Sequence, residues 1–199
     1  MLKAKHTNYK FECGLDEAGR GCLAGPVTAA AVILKPNFKH ELIDDSKKLT
    51  KIKREELSKI IIKNSLDYSI GFVYPRKIDE INILNASILA MHKCISKLKI
   101  KPEFLIVDGN RFKKYKNIKH KTIVKGDSKY LSIASASILA KYSRDIYMEK
   151  ISKKFPDYFW HKNKGYPTKE HKEAIIRFGI TNHHRKSFKL FDEQLTIDF

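Results

Sequence analysis

Four consecutive apolar residues, Phe104-Leu105-Ile106-Val107, run directly into Asp108-Gly109. So short a run without polar alternation reads as a central strand buried on both faces. A sheet covered on both sides needs helices above and below it, which defines an α/β domain. Val27–Leu34 (VTAAAVIL) is a second, almost wholly apolar strand. Residues 10–16 alternate Phe11, Cys13 and Leu15 against polar neighbours, as a strand does. Further strands are expected at 67–74 and 121–124. Helices are expected at 51–64, capped by Thr50, at 75–98, 132–153 and 168–178. Residues 156–165 read as an aromatic and basic loop, and the segment from Asn182 onward as a basic and then acidic tail. Strands come first, then strands interleaved with helices, then helices, so the sheet is mixed. The whole of 1–199 reads as one domain, with 189–199 a tail.

Charge narrows the function. Lys and Arg total 40 against 22 Asp and Glu, a balance of +18. Such a surface concentrates polyanions, and nucleic acid is the natural partner. A basic proteome would produce part of the same excess. The three cysteines, Cys13, Cys22 and Cys94, have no paired spacing. They point away from a disulfide framework or a zinc site and suit a reducing cytoplasm. The first residues carry no long apolar core, and no run approaches a membrane span, so a soluble cytoplasmic protein is expected. A monomer is the simplest expectation.

The acids carry the chemistry. Asp16-Glu17 ends the first strand and is followed by Ala-Gly-Arg-Gly. Adjacent strand residues face opposite ways, so the pair serves one centre only if the chain bends, and Gly14, Gly19 and Gly21 supply that freedom. Most Asp-Glu pairs are simply solvated. Asp108, joined to a buried run, is either a turn-forming Asp-Gly or a functional acid. Asp127, in Lys125-Gly-Asp-Ser128, is either a cap for the long helix or a fourth site acid. Were the four to converge, each pair about 4 Å apart would cost about 4 kcal/mol at an effective dielectric near ~20. Two divalent cations would offset that repulsion, and all-oxygen ligands favour Mg²⁺ or Mn²⁺. Such a pair suits in-line phosphodiester hydrolysis.

The string Gly14-Leu-Asp-Glu-Ala-Gly-Arg-Gly-Cys-Leu-Ala-Gly-Pro-Val27 resembles the signature of ribonuclease HII. The resemblance continues at Asp45-Ser-Lys-Lys-Leu-Thr50, Val107-Asp-Gly-Asn110, Lys125-Gly-Asp-Ser128 and Ser132–Lys141. It ends with Ser143-Arg-Asp145, Gly165-Tyr-Pro-Thr168 and His184-Arg-Lys-Ser-Phe188, in the family's order. It implies a ribonuclease H-like fold, a mixed five-stranded sheet flanked by helices with a helical C-terminal part. It implies an endonuclease that cuts the RNA strand of RNA–DNA hybrids, single embedded ribonucleotides included, leaving 5′-phosphate and 3′-hydroxyl ends. By the same resemblance Asp16, Glu17, Asp108 and Asp127 are the catalytic, metal-binding carboxylates. Gly19-Arg20-Gly21 is the loop that senses the ribose 2′-hydroxyl, and Tyr166 stacks on the sugar beyond it. Repair of ribonucleotides in DNA and removal of RNA primers are the expected processes.

Lys47 and Lys48 are either phosphate contacts or a surface pair. Asp145 either supports the site or pairs with Arg144 or along the helix surface. His184 and Ser187 read as structural or phosphate-contacting. Cys22 stands where the family commonly has proline, which would loosen the loop or expose a thiol. The end of the chain, with Gln194, Leu195, Ile197 and Phe199, resembles the peptides that dock on a sliding clamp. Two other readings compete. Ribonuclease HIII carries an extra N-terminal domain, for which the 15 residues before Asp16 leave no room. A non-catalytic basic nucleic-acid-binding protein accounts for the charge but not for the acids.

Overall fold

The computed structural model describes residues 2–43 and 49–189. Five strands form one mixed sheet: β1 (Glu12–Ala18), β2 (Val27–Leu34), β3 (Ser65–Val73), β4 (Phe104–Asp108) and β5 (Lys119–Ile123). Their order is β3-β2-β1-β4-β5. β1 and β3 each pair antiparallel with β2, while β1 with β4 and β4 with β5 pair parallel. β4 is therefore interior, as its unbroken apolar run requires.

The helices cover both faces. On one, Cys13, Leu15 and the odd-numbered residues of β2 meet Ala86, Ala90, Met91 and Cys94 of α2 (Pro75–Lys97). On the other, Ala30 and Val32 meet α1 (Lys51–Lys63) and α3 (Leu131–Ser152). Thr50 caps α1 as its position predicts, its hydroxyl accepting the Lys53 amide at 3.2 Å. α2 is interrupted at Asn82, whose φ is 63°. Gly14 matters for packing: a Cβ there would lie 2.3 Å from the Ser132 carbonyl carbon, so only glycine lets α3 sit on β1.

Residues 156–165 are not the extended loop expected from their composition. They form a 3-10 turn, Pro156–Tyr158, and a one-turn helix, α4 (Trp160–Asn163). With α5 (Lys169–Phe178) they build a third core around Trp160, Tyr158 and Met148. Aromatic burial orders a segment whose local sequence looks like loop.

This small core holds two histidines in one satisfiable state. The Trp160 indole N–H donates to His171 Nε2 at 3.0 Å, and His171 Nδ1 lies 2.9 Å from the Tyr166 carbonyl. The Thr181 amide donates to His184 Nδ1 at 2.9 Å, leaving His184 Nε2 to donate to His171 Nε2 at 3.2 Å. Both rings are neutral in this pattern: a proton on His171 Nε2 would face two donors, and one on His184 Nδ1 would face the Thr181 amide, with only the Thr181 hydroxyl oxygen, 3.1 Å away, to receive it. Burial, then the neighbouring His171, pulls His184 down to about 4, and burial lowers His171 too. A histidine near 6.5 when unfolded and about 4 when folded contributes fully above 6.5 and loses that contribution as pH falls through 4. Chemical unfolding should therefore show stability falling from pH 7 to 4.5, by up to about 3 kcal/mol for His184. His184→Asn should flatten that slope, and a parental slope in the variant would refute the assignment.

Candidate active site

The C-terminal ends of the adjacent parallel strands β1 and β4 bring Asp16 and Asp108 level, one step beyond the Leu15–Val107 pair. This is where open α/β sheets place their sites. A cavity of about 260 Å³ opens there, lined by Asp16, Glu17, Asp108, Asp127, Gly19-Arg20-Gly21 and Tyr166, with Ser137 and Lys141 from α3.

The neighbouring acids reach it without the bend expected between them. β1 stays paired through Ala18, with Asp16 opposite Ala30 and Glu17 opposite Ala29. Asp16 accepts a hydrogen bond from Ser137 on the α3 side. Glu17 also lines an adjoining cleft beside Leu84, Ser87, Ile88 and Met91 on the α2 side. The cavity wraps the strand end and meets both faces. The turn follows the pair, at Gly19, whose φ is +89°.

Asp108 is more than a turn former. Its Oδ1 accepts the Gly126 amide at 2.7 Å and so ties down the turn that presents Asp127. Nor does Asp127 cap the long helix. It sits in a 3-10 turn, Gly126–Ser128, and the residue capping α3 is Tyr130, without a side-chain bond.

Electrostatically the cluster is uncomfortable by itself. Burial, then Glu17 and Asp108, pushes the Asp16 carboxyl well above its ordinary value. Burial raises Glu17 as well, against the pull of Arg20, whose Nη1 lies 3.1 Å from Glu17 Oε1. Among the described residues no three His, Cys, Asp or Glu side chains are gathered tightly enough to hold a metal ion as they stand. The donor set still fits a hard divalent cation: four carboxylates, mutually repelling, lining one cavity.

Residues outside the predicted set shape this wall. Arg144 and Arg185 are both fully buried. Arg144 donates to the carbonyls of Pro26, Ala24 and Lys164, and its side chain fills the space beneath Gly19. Arg185 donates to the carbonyls of Gly19 at 2.6 Å, Arg20 at 2.7 Å and Gly25 at 3.0 Å. The glycine loop is moulded on these two guanidinium groups. Tyr166 stands half-exposed beside it, with Arg144 Cζ 5.8 Å and Lys141 Nζ 5.7 Å from its ring centre.

The chain matches the ribonuclease HII family model over residues 13–191. The chain belongs to the ribonuclease HII family. A ribonuclease HII of Christiangramia forsetii is 60% identical over 186 residues, covering 94% of each chain. Ribonuclease H2 from Pyrococcus horikoshii superposes with a TM-score of 0.77 at 26% identity, covering 90% of this chain and 94% of that one. The ribonuclease HII of Archaeoglobus fulgidus, solved in complex with PCNA, superposes at 0.76 with 28% identity, covering 93% and 98%. Membership makes the chain a metal-dependent endoribonuclease that acts on RNA–DNA hybrids, and its mixed sheet is the one predicted.

The remaining residues singled out in the sequence take definite places in the structure. Asp145 does pair along its own helix, with Lys141 one turn before it, but it also meets Arg54 of α1 rather than Arg144. It is buried, with Oδ2 3.3 Å from Arg54 and Oδ1 2.6 Å from Lys141. It thereby steers Lys141 toward the cavity. Cys22 exposes no thiol, since it is fully buried. His184 belongs to the aromatic core, and Ser187 donates to Asp79 Oδ1 at 2.6 Å in the first turns of α2. Lys47, Lys48, Gln194, Leu195, Ile197 and Phe199 lie outside the described residues. No helix among the described residues is long and apolar enough to cross a membrane.

Proposed function

We propose that this chain hydrolyses the RNA strand of RNA–DNA hybrids, single ribonucleotides embedded in duplex DNA included, by a two-metal mechanism that leaves 5′-phosphate and 3′-hydroxyl ends. The observation that carries the reading is the shared cavity: four carboxylates, the Gly19-Arg20-Gly21 loop and the Tyr166 ring line one space. Asp16, Glu17, Asp108 and Asp127 would hold the metal, Mg²⁺ or Mn²⁺, as two ions once substrate is bound. Such ions supply an activated water and charge for the leaving oxygen.

The protein's own groups choose the substrate. The 2′-hydroxyl alone separates RNA from DNA at a given nucleotide. Backbone groups of Gly19-Arg20-Gly21 read it, because glycine permits close approach and the buried arginines hold the loop rigid. Tyr166 packs on the following deoxyribose, which favours a DNA sugar there. Arg20 and Lys141 offer cations to the phosphates on either side, and Lys47 and Lys48 extend that contact. A cytoplasmic role in ribonucleotide repair and primer removal fits this specificity and the three buried, unpaired thiols.

The test is a duplex with one embedded ribonucleotide, incubated with Mg²⁺, Mn²⁺ or EDTA. Cleavage with either metal and none with EDTA is expected, and EDTA-resistant cleavage would sink the reading. Tyr166→Ala should cut turnover at the single ribonucleotide by roughly 10- to 100-fold, the worth of one stacking contact of about 1–3 kcal/mol. A continuous hybrid should suffer less. Equal losses on both substrates would remove Tyr166 from junction recognition.

The Archaeoglobus structure with PCNA supports a clamp-docking role for Gln194, Leu195, Ile197 and Phe199. Deletion of residues 194–199 should abolish capture of the protein by a sliding clamp in a pull-down. Undiminished capture would remove that role.

A further inference from the structure

We infer that residues 111–121 form a preordered cationic arm that binds the phosphate backbone of the duplex outside the cleavage site, on the side away from Tyr166. This rests on the substrate reading above and extends it to a second contact surface.

The segment runs from Asn110 to Lys125 without one acidic residue. Arg111, Lys113, Lys114, Lys116, Lys119 and Lys121 are all exposed. None of the six takes part in an ion pair among the described residues. Elsewhere on this surface many lysines are matched: Lys51 and Lys164 to Glu149, Lys59 to Glu55, Lys77 to Glu80. An unmatched run of this density repels itself, at a cost that a polyanion relieves.

The arm is also held in shape. His92 Nε2 lies 2.8 Å from the Lys113 carbonyl oxygen, and the His92 ring meets Phe112 and Tyr115 edge-on. Phe112 in turn meets His120 of β5 at 5.0 Å. Phe112 and Tyr115 pack on the α2-side core while the lysines between them point outward. A backbone fixed in this way need not be ordered when its lysines meet phosphates.

Its position gives the direction. Arg111 lines the cleft that shares Glu17, Arg20 and Asp108 with the acid cavity, and that cleft does not include Tyr166. Tyr166 lines the cavity, which does not include Arg111. Arg111 thus stands toward α2, whose Ser87, Ile88 and Met91 share its cleft, and Tyr166 toward α3, beside Lys141 and Arg144. From Arg111 the arm continues along the β5 edge of the sheet, where Lys119 and Lys121 alternate with His120 and so share a face. A duplex centred on the acids and extended past Arg111 meets this row.

The test uses the full chain with Lys113, Lys114, Lys116 and Lys119 changed to Gln, leaving Arg111 in place. The control changes Lys59, Lys63, Lys150 and Lys153 to Gln, for the same loss of charge elsewhere. Binding is measured in EDTA against a duplex that just covers the cavity, and against that duplex lengthened by one helical turn on either side of the ribonucleotide. On the duplex lengthened toward the arm, the arm variant should bind about tenfold or more weakly, and its slope of log K against log salt should shrink by about 3. On the short duplex it should match the parent in affinity and, with Mn²⁺, in cleavage rate. An unchanged slope on the lengthened duplex, an equal loss on the short one, or the same loss in the control would overturn the arm. Failure of the parent to cleave the short duplex would instead strike at the substrate reading, while the binding comparison still decides the arm.

Discussion

In Asp16→Asn, cleavage of an RNA–DNA hybrid is expected to fall by about 10³-fold or more, while the metal-free protein becomes more stable. Both halves come from one arrangement. Asp16 is 5% exposed, and Glu17 and Asp108 stand beside it. Burial and those neighbours penalise its charge, so the fold without metal carries a carboxylate it would prefer protonated. An amide of the same shape removes the penalty and still accepts a hydrogen bond from Ser137. The gain should be about 1–2 kcal/mol, read as a rise of a few degrees in Tm in EDTA. On the proposed assignment the same change removes a negative oxygen ligand of the metal, and losing several kcal/mol of charge stabilisation at the transition state gives the fall in rate. In the parent, adding Mn²⁺ should raise Tm, because a ligand of the native state stabilises it by mass action. In the variant that rise should shrink. A variant that keeps parental activity, or melts lower than the parent in EDTA, would show that Asp16 is not a strained metal ligand.

The acids could be found in the sequence because each is attached to something periodic. Asp16 and Glu17 lie near the end of an alternating strand and Asp108 closes an apolar one, so strand reading leads to the end of the sheet where the cavity opens. Asp127 had a competing local reading as a helix cap. What decides against it is the Asp108–Gly126 bond, between residues 18 apart in the chain. No local pattern contains that contact. The role of Gly14 was invisible for the same reason. A glycine two residues before an acid pair suggests a hinge, yet what constrains it is α3, more than a hundred residues later.

The supporting cations were hidden by their chemistry. Arg144 follows a lysine-bearing helical turn, and Arg185 sits among His183, His184 and Lys186. In a chain of charge +18, one more arginine in a basic stretch looks solvated. Long charged side chains are almost never fully buried unless partnered. Here most partners are backbone carbonyls of residues 19–26, 118 to 166 residues away along the chain, joined by the Lys164 carbonyl beneath Arg144. A carbonyl carries no signature in a sequence. The visible trace was only that Ser143-Arg-Asp145 and His184-Arg-Lys-Ser-Phe188 fall in the family's order.

That dependence makes Arg185 the most informative residue outside the acids. Arg185→Lys keeps the charge and should still damage the enzyme severely. The guanidinium spans three carbonyls at once: Nη1 to Arg20, Nη2 to Gly19 and Gly25, and Nε to Gly25 at 3.1 Å. A lysine ammonium is a point donor on a flexible stem and cannot reproduce that planar fork. At least two charge-assisted bonds are lost, at about 1.5–3 kcal/mol each, so stability should drop by about 3–5 kcal/mol. Burial already pulls the Arg185 pKa down to about 10, and an amine in its place gives up its proton more readily. The carbonyls of Gly19 and Arg20 then lose their anchor, and the loop proposed to read the 2′-hydroxyl loses its shape. Turnover of a continuous hybrid and of a single embedded ribonucleotide should fall together, by about 10²-fold, at a temperature where the variant is still folded. Tyr166→Ala is expected to separate those substrates, so the pair of variants distinguishes the scaffold of the loop from the ring proposed to read the junction. Parental Tm and turnover in Arg185→Lys would show that the loop holds its shape without the fork. An unequal loss favouring one substrate would assign Arg185 to recognition.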